Sequence, residues 1–203
     1  MSADDIVALY ERRARDWVAD RARQTVLFEK GWLDRFLAPV RPGGTVLDLG
    51  CGPGRPIAGY LLSRGLDVCG VDSSPTMIAL ARTNFPDREW IVADMRTLSL
   101  GRRFAGILAW DSFFHLSHDA QRRMFAVFRD HAGAGAPLMF TSGPRHGEAI
   151  GELHGEPLYH ASLAPDEYRA LLVQYGFEPV AEKMEDPDCG GHSVWLARRR
   201  EDG

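Results

Sequence analysis

The chain has 203 residues, 45% of them hydrophobic and 26% charged, with a net charge of −4. That size and balance describe one ordinary globular domain, able to bury roughly two thirds of its chain's surface, and exclude a disordered or fibrous protein. The slight acidity, with arginines scattered at Arg12-Arg13, Arg102-Arg103, Arg122-Arg123 and Arg198-Arg199-Arg200, argues against a nucleic-acid surface, and no apolar run approaches the roughly 20 residues that cross a bilayer.

Cys51, Cys69 and Cys189 lie far apart and suit reduced thiols better than a disulfide framework. The opening Ser2-Ala3-Asp4-Asp5 is not a basic, then apolar, leader, so a cytoplasmic protein is expected. In chain order, Ile6, Leu9, Tyr10, Ala14, Trp17 and Val18 recur at helical spacing, and Val26, Phe28, Trp32, Leu33, Phe36 and Leu37 form a second apolar set. Both sets read as helices packed on a sheet.

From residue 45 short β-rich runs alternate with helical segments. Strands are predicted over residues 45–50, 67–72, 89–94, 105–111 and 137–142, and helices near 56–63, 75–84 and 120–132. Near-continuous apolar strands of this kind are buried on both faces, as in a parallel sheet with helices above and below. Ser74-Pro75 places a capping hydroxyl before a proline at the first helical position, and Pro165-Asp166-Glu167 puts proline and acids in another first turn. Gly176 closes that helix. Residues 177–183 and 193–198 are then two strands joined through Asp186-Pro187-Asp188-Cys189-Gly190-Gly191, too short a connection for anything but an antiparallel pair.

The most informative stretch is Val46-Leu47-Asp48-Leu49-Gly50-Cys51-Gly52-Pro53-Gly54, an apolar strand closed by three alternating glycines. A strand must end this way where its backbone turns tightly and approaches a ligand. The second strand ends in Asp72, about 20 residues past the first glycine, where a carboxylate accepts from both hydroxyls of a ribose. Strand, glycine loop, helix and distant acid together indicate an adenosine-containing ligand. A nicotinamide-dependent dehydrogenase would carry Gly-x-Gly-x-x-Gly, but its last position is Arg55 here, and Asp48 just before the loop suits a positive ligand better than a pyrophosphate.

Val46 to Gly54, Val71-Asp72-Ser73-Ser74-Pro75-Thr76-Met77, Ile91-Val92-Ala93-Asp94-Met95 and Ala109-Trp110-Asp111 resemble the successive motifs of the class I S-adenosylmethionine-dependent methyltransferases. The resemblance covers roughly residues 40 to 200. It implies an α/β, Rossmann-like, seven-stranded sheet, mostly parallel with an antiparallel final strand between the fifth and sixth, and helices on both faces. Residues 1–203 are then a single domain, with 1–40 as a helical lid segment and 41–203 as the cofactor-binding core.

The same resemblance assigns roles. Asp48, Gly50, Cys51, Gly52 and Gly54 face the methionine part and the ribose; Asp72 and Ser73 the ribose; Met77 the adenine ring; Asp94 and the backbone at Met95 its edge; Trp110 and Asp111 the methionyl end. Tyr10, Trp17 and Arg21 reach the pocket from the lid. Asp72 and Asp94 have competing readings as cap or turn residues. His115, just past strand four, is the candidate general base, and a core histidine is the competing reading.

Phe114, Tyr159, His160 and His192 are candidate substrate contacts, while His146 and His154 read as members of a polar surface loop. Neither Asp111, His115 and His118 nor Cys189 with His192 makes a typical ligand set, so no metal is expected. Trp110-Asp111-Ser112-Phe113 stands where methyltransferases acting on nucleobase amines resemble one another in an Asp/Asn-Pro-Pro-aromatic turn, and the pocket loops are aromatic. A small organic acceptor, methylated on oxygen or nitrogen by a monomer or homodimer, is therefore expected. A non-catalytic module holding S-adenosylmethionine or S-adenosylhomocysteine is the alternative, and a nicotinamide-dependent oxidoreductase the third.

Overall fold

The computed structural model describes residues 2–24 and 26–201. Two helices come first, α1 (Ile6–Arg23) and α2 (Lys30–Leu37). Alternation begins after them as β1 (Thr45–Leu49), α3 (Ile57–Ser63), β2 (Asp67–Asp72), α4 (Pro75–Asn84), β3 (Glu89–Val92), β4 (Gly106–Ala109), α5 (His118–His131) and β5 (Pro137–Ser142). A hairpin of β6 (Gly147–Leu153) and β7 (Glu156–Ser162) then precedes α6 (Pro165–Gln174), β8 (Phe177–Asp186) and β9 (His192–Arg199).

Seven strands form one sheet in the order β3-β2-β1-β4-β5-β9-β8. β1 to β5 are parallel, and β9 runs antiparallel between β5 and β8. This is the expected fold class, its final strand where the resemblance placed it. Two apolar layers cover the sheet because successive strand residues point to opposite faces. Leu47, Leu49, Ile107 and Phe140 join Phe113, Phe125, Phe128, Tyr168 and Trp195 on the α5–α6 side. Val46, Val68, Leu108 and Met139 join Trp32, Leu33, Phe36, Leu61 and Ile78 on the other. Each large side chain withdrawn from water this way contributes about 1.5–3 kcal/mol before entropy is counted.

The two marked helix starts are present. Ser74 Oγ accepts from the Met77 amide at 3.1 Å with Pro75 in the first turn of α4, and α6 begins at Pro165. Strands three and four stop earlier than predicted. Asp94 turns the chain by capping a short 3-10 turn, Met95–Thr97, and Asp111 adopts a positive φ of 49° just past β4, which bends the chain out of the sheet.

Two expectations need correction. Val26 belongs to neither helix and is 70% exposed. Residues 147–162, expected to be loop, form the β6–β7 hairpin, in which His154 and Gly155 make a two-residue turn with positive φ at both positions, as type I′ turns require. His146, in the bend before β6, and His154, in the hairpin turn, are exposed as expected of a polar surface loop; His154 Nε2 lies 2.8 Å from Asp20 on α1, and His146 stacks on His118. No helix among the described residues is long and apolar enough to cross a membrane.

Candidate functional site

The carboxyl ends of parallel strands are where an open α/β sheet presents its loops, and here they floor a cleft of about 1110 Å³, mouth included. From the floor come Asp48 near the end of β1 with Gly50, Cys51 and Gly52 after it, Asp72 at the end of β2 with Ser73 after it, Asp94 and Met95 after β3, and Trp110 and Asp111 after β4. Met77 on α4 and His115 also line it. The cover is α1, whose Val7, Tyr10, Trp17 and Arg21 fall three, seven and four residues apart, one stripe of a helix laid along the cleft.

Local chemistry explains the floor. Gly50 has φ 76°, and a Cβ there would stand 2.2 Å from Ser112 Cβ, because Ser112 leans in to donate to the Leu49 carbonyl at 2.7 Å. Asp72 holds the loop in shape: one carboxylate oxygen accepts from the Gly52 amide and the other from the Ser74 amide, both at 2.9 Å. Burial pushes its carboxyl above the usual range despite those bonds. Asp48, 3% exposed, is pushed up to about 7 by burial and by Asp72 beside it. Burial likewise raises the Cys51 thiol, which makes it inert at neutral pH.

At one end of the cleft Asp94 accepts from the Arg96 amide and pairs with its guanidinium at 2.7 Å, so it is a turn cap and a cleft residue at once. Against the effect of burial, those contacts hold its carboxyl below the usual range. At the other end His192 stacks between Phe28 and Trp110, with Nδ1 2.7 Å from the Cys189 carbonyl oxygen and Nε2 2.8 Å from Asp111. Burial alone would lower its pKa, but the Asp111 carboxylate raises it above the ordinary value.

His115 is differently placed from a free base. Its Nδ1 lies 2.8 Å from the Tyr159 carbonyl, which only an N–H can satisfy, so Nε2 is the acceptor for the Tyr10 hydroxyl at 2.9 Å. Burial lowers its pKa to about 4, making it neutral. The same burial raises the Tyr10 phenol.

Five predicted site residues stand outside the cleft wall. Gly54 packs underneath, where a Cβ would lie 2.9 Å from Trp90. Phe114 and His160 pack against each other at a tilt beside His115, Tyr159 is buried under α1 beside Ile6, and His192 sits behind Trp110 and Asp111. Sequence reasoning missed Glu29, Arg55 and Arg96, which do line the cleft. His118 is bound at Nε2 by the Gly147 and Ser162 carbonyls, and among the described residues no three His, Cys, Asp or Glu side chains form a metal-holding group.

The family described as "Methyltransferase domain" matches residues 46–135. A trans-aconitate 2-methyltransferase of Azoarcus sp. (strain BH72) is 47% identical over 60 residues, 29% of this chain and 23% of that protein. The chain thus spans about a quarter of the length of the curated relatives it matches. Among solved structures, the 1,6-didemethyltoxoflavin-N1-methyltransferase of Burkholderia thailandensis, holding S-adenosylhomocysteine, superposes with a TM-score of 0.72 at 22% identity, covering 98% of this chain and 87% of the other. An amino pentose methyltransferase from Micromonospora echinaspora, bound to S-adenosylmethionine, gives 0.71 at 20% identity over 90% and 95%.

Proposed function

We propose that this chain, a class I S-adenosylmethionine-dependent methyltransferase by its fold and by the domain that residues 46–135 match, moves the methyl group of that cofactor to an oxygen or nitrogen of a small organic molecule and releases S-adenosylhomocysteine. The observation that carries the reading is the floor of the cleft. Three carboxylates, Asp48, Asp72 and Asp94, face it from successive strand ends, and Arg55 occupies the position where a pyrophosphate loop needs its last glycine. Such a floor repels phosphates and suits a ligand with ribose hydroxyls, an amino-bearing base and a positive sulfur.

The residues fit that cofactor. The Gly50 position is bare because Ser112 fills the space behind it, so a ligand can approach the loop's main chain closely, although the amides of Gly50, Cys51, Gly52 and Gly54 already donate within the protein. Asp72 is the partner for the ribose hydroxyls with Ser73 beside it, Met77 and Met95 flank the adenine, and Asp94 accepts from its amino group. Asp48, Trp110 and Asp111 serve the methionyl end, with Tyr10, Trp17 and Arg21 closing from above. When bound, the cofactor supplies an electrophilic methyl carbon on a positively charged sulfur. The protein's share is alignment and exclusion of water.

Tyr10 and His115 also fix where an acceptor's proton is held. With Nε2 of a neutral His115 accepting the Tyr10 hydroxyl proton, the phenol oxygen presents lone pairs to the cleft and accepts from an O–H or N–H of the acceptor. His115 is then a positioning residue behind Tyr10. A small acceptor is supported by the acceptors named for the two structural neighbours, an amino pentose and 1,6-didemethyltoxoflavin. The proposal includes one domain with residues 1–40 as its cover, acting as a monomer or homodimer in the cytoplasm. Incubation with methyl-labelled S-adenosylmethionine and a panel of small alcohols, phenols and amines is the test. Label on a small acceptor is the expected result; tight cofactor binding with no transfer to any of them would replace the enzyme with a binding-only module.

A further inference from the structure

A polar corner closes the cleft at the end away from Asp94. Glu29, just before α2, is fully buried at 0% exposure, yet its side chain lines the cleft. Its Oε1 takes the guanidinium of Arg21, while its Oε2 has no hydrogen-bond partner. Trp110, 4% exposed, lines the same corner with its indole Nε1 equally unpartnered. Leaving a buried polar atom unpaired costs about 1–3 kcal/mol, more when it is charged, so two facing one cavity mark groups arranged for something that enters it. Burial drives the Glu29 carboxyl upward, and Arg21 opposes that.

The chemistry of the corner is two-signed. Glu29 Oε2 is an acceptor that a cation would satisfy. Trp110 Nε1 and the Arg21 guanidinium are donors that a carboxylate would satisfy. Asp111 Oδ1 in the same wall also lacks a hydrogen-bond partner, but it lies 2.8 Å from His192 Nε2, a charge partner that Glu29 Oε2 does not have. A cation and an anion carried on adjacent atoms describe an α-amino acid head. We propose that Glu29 is the acceptor for the α-ammonium group of the methionyl part of S-adenosylmethionine, with Trp110 Nε1 and Arg21 taking its α-carboxylate. This rests on the proposed cofactor and adds to its site a buried acid from the cover, outside every motif of the floor.

The test compares two ligands that share a nucleoside thioether but differ in the amino acid head, S-adenosylhomocysteine and 5′-methylthioadenosine, titrated by calorimetry into the full chain. The wild type should prefer S-adenosylhomocysteine, and Glu29→Gln should weaken that ligand at least tenfold while leaving 5′-methylthioadenosine within about twofold, the size expected for one charge-assisted hydrogen bond. A variant that binds S-adenosylhomocysteine as the wild type does, or that loses both ligands equally, overturns the assignment. Should Glu29→Gln fail to fold, Trp110→Phe carries the same comparison with the same expected selective loss. A wild type that binds neither ligand contradicts the cofactor reading itself, and one that binds both equally contradicts only the corner.

Discussion

The floor and the cover of the cleft are held by different physics. The floor hangs mainly from β1, β2 and β4, whose side chains are almost wholly buried and whose register is set residue by residue, Leu49 opposite Val71 and Asp48 opposite Leu108. The cover, α1, buries only Ile6, Leu9 and Ala14. Polar contacts tie it down: Glu11 to Ser74 and Thr76 at the start of α4, Asp4 to Arg96, Arg12 and Arg13 to Glu156, Asp20 to His154, Arg21 to Glu29. Apolar burial makes the floor part of the global fold, whereas the ion pairs of the cover, the buried Arg21–Glu29 pair excepted, are partly or largely exposed and each worth about 0–1 kcal/mol. On the proposed reading of residues 1–40 as a lid, the cover is the part expected to open to a ligand and the floor the part expected to select it.

The largest effect that would break this contrast belongs to the core under the floor. Phe113, at 0% exposure, touches Phe125, Phe128, Phe140 and Tyr168, so Phe113→Ala should cost about 3–5 kcal/mol of unfolding free energy in urea titration. A loss under about 1 kcal/mol would remove the distinction. Next comes Gly50→Ala, which strains a positive φ and drives a methyl into Ser112; about 2–4 kcal/mol of stability should go, with cofactor binding. Asp72→Ala should leave the fold largely intact and weaken S-adenosylhomocysteine by about 10–100-fold, the worth of one or two bonds to a charged group. Unchanged affinity by calorimetry would remove Asp72 from the site.

Asp48 gives a pH signature peculiar to the floor. The folded carboxyl keeps its proton up to about 7, whereas the unfolded one releases it near about 4. The folded state therefore binds more protons across that window, and the group's contribution to stability falls as pH rises from about 4 to about 7. Asp48→Asn should flatten that slope and be more stable than the wild type at about pH 8. A positive sulfur favours the ionised carboxylate, so affinity for S-adenosylmethionine relative to S-adenosylhomocysteine should rise severalfold between about pH 6 and pH 8, and not in Asp48→Asn. The smallest effect is on the cover. Glu11→Gln should cost under about 1 kcal/mol globally yet speed amide exchange along α1 and not in β1 or β4; equal speeding in both would mean that cover and floor open together.

The floor was legible because its signals are local. The three glycines, Asp72 and Asp94 each stand at the end of an apolar run, and strand ends of a parallel sheet converge by topology. The cover was legible only in part: the helical stripe held Tyr10 and Trp17, and the family resemblance singled them out with Arg21, but Glu29 sits in a turn with no periodicity. Gly54 read as a ligand glycine, whereas its bareness makes room for Trp90. The β6–β7 hairpin escaped because β6 carries no alternation, five successive residues being exposed, so only the His154-Gly155 turn announced it. Tyr10 and His115 lie 105 positions apart, and nothing in spacing could have shown that one hydroxyl occupies the imidazole.

The central claim is that this floor selects a phosphate-free adenosyl ligand with a sulfur at its centre. Isothermal titration of the full chain with S-adenosylmethionine, S-adenosylhomocysteine and NAD tests it most directly. Micromolar binding of the first two with none of NAD is the predicted result; binding of NAD, or of none of the three, would contradict the claim.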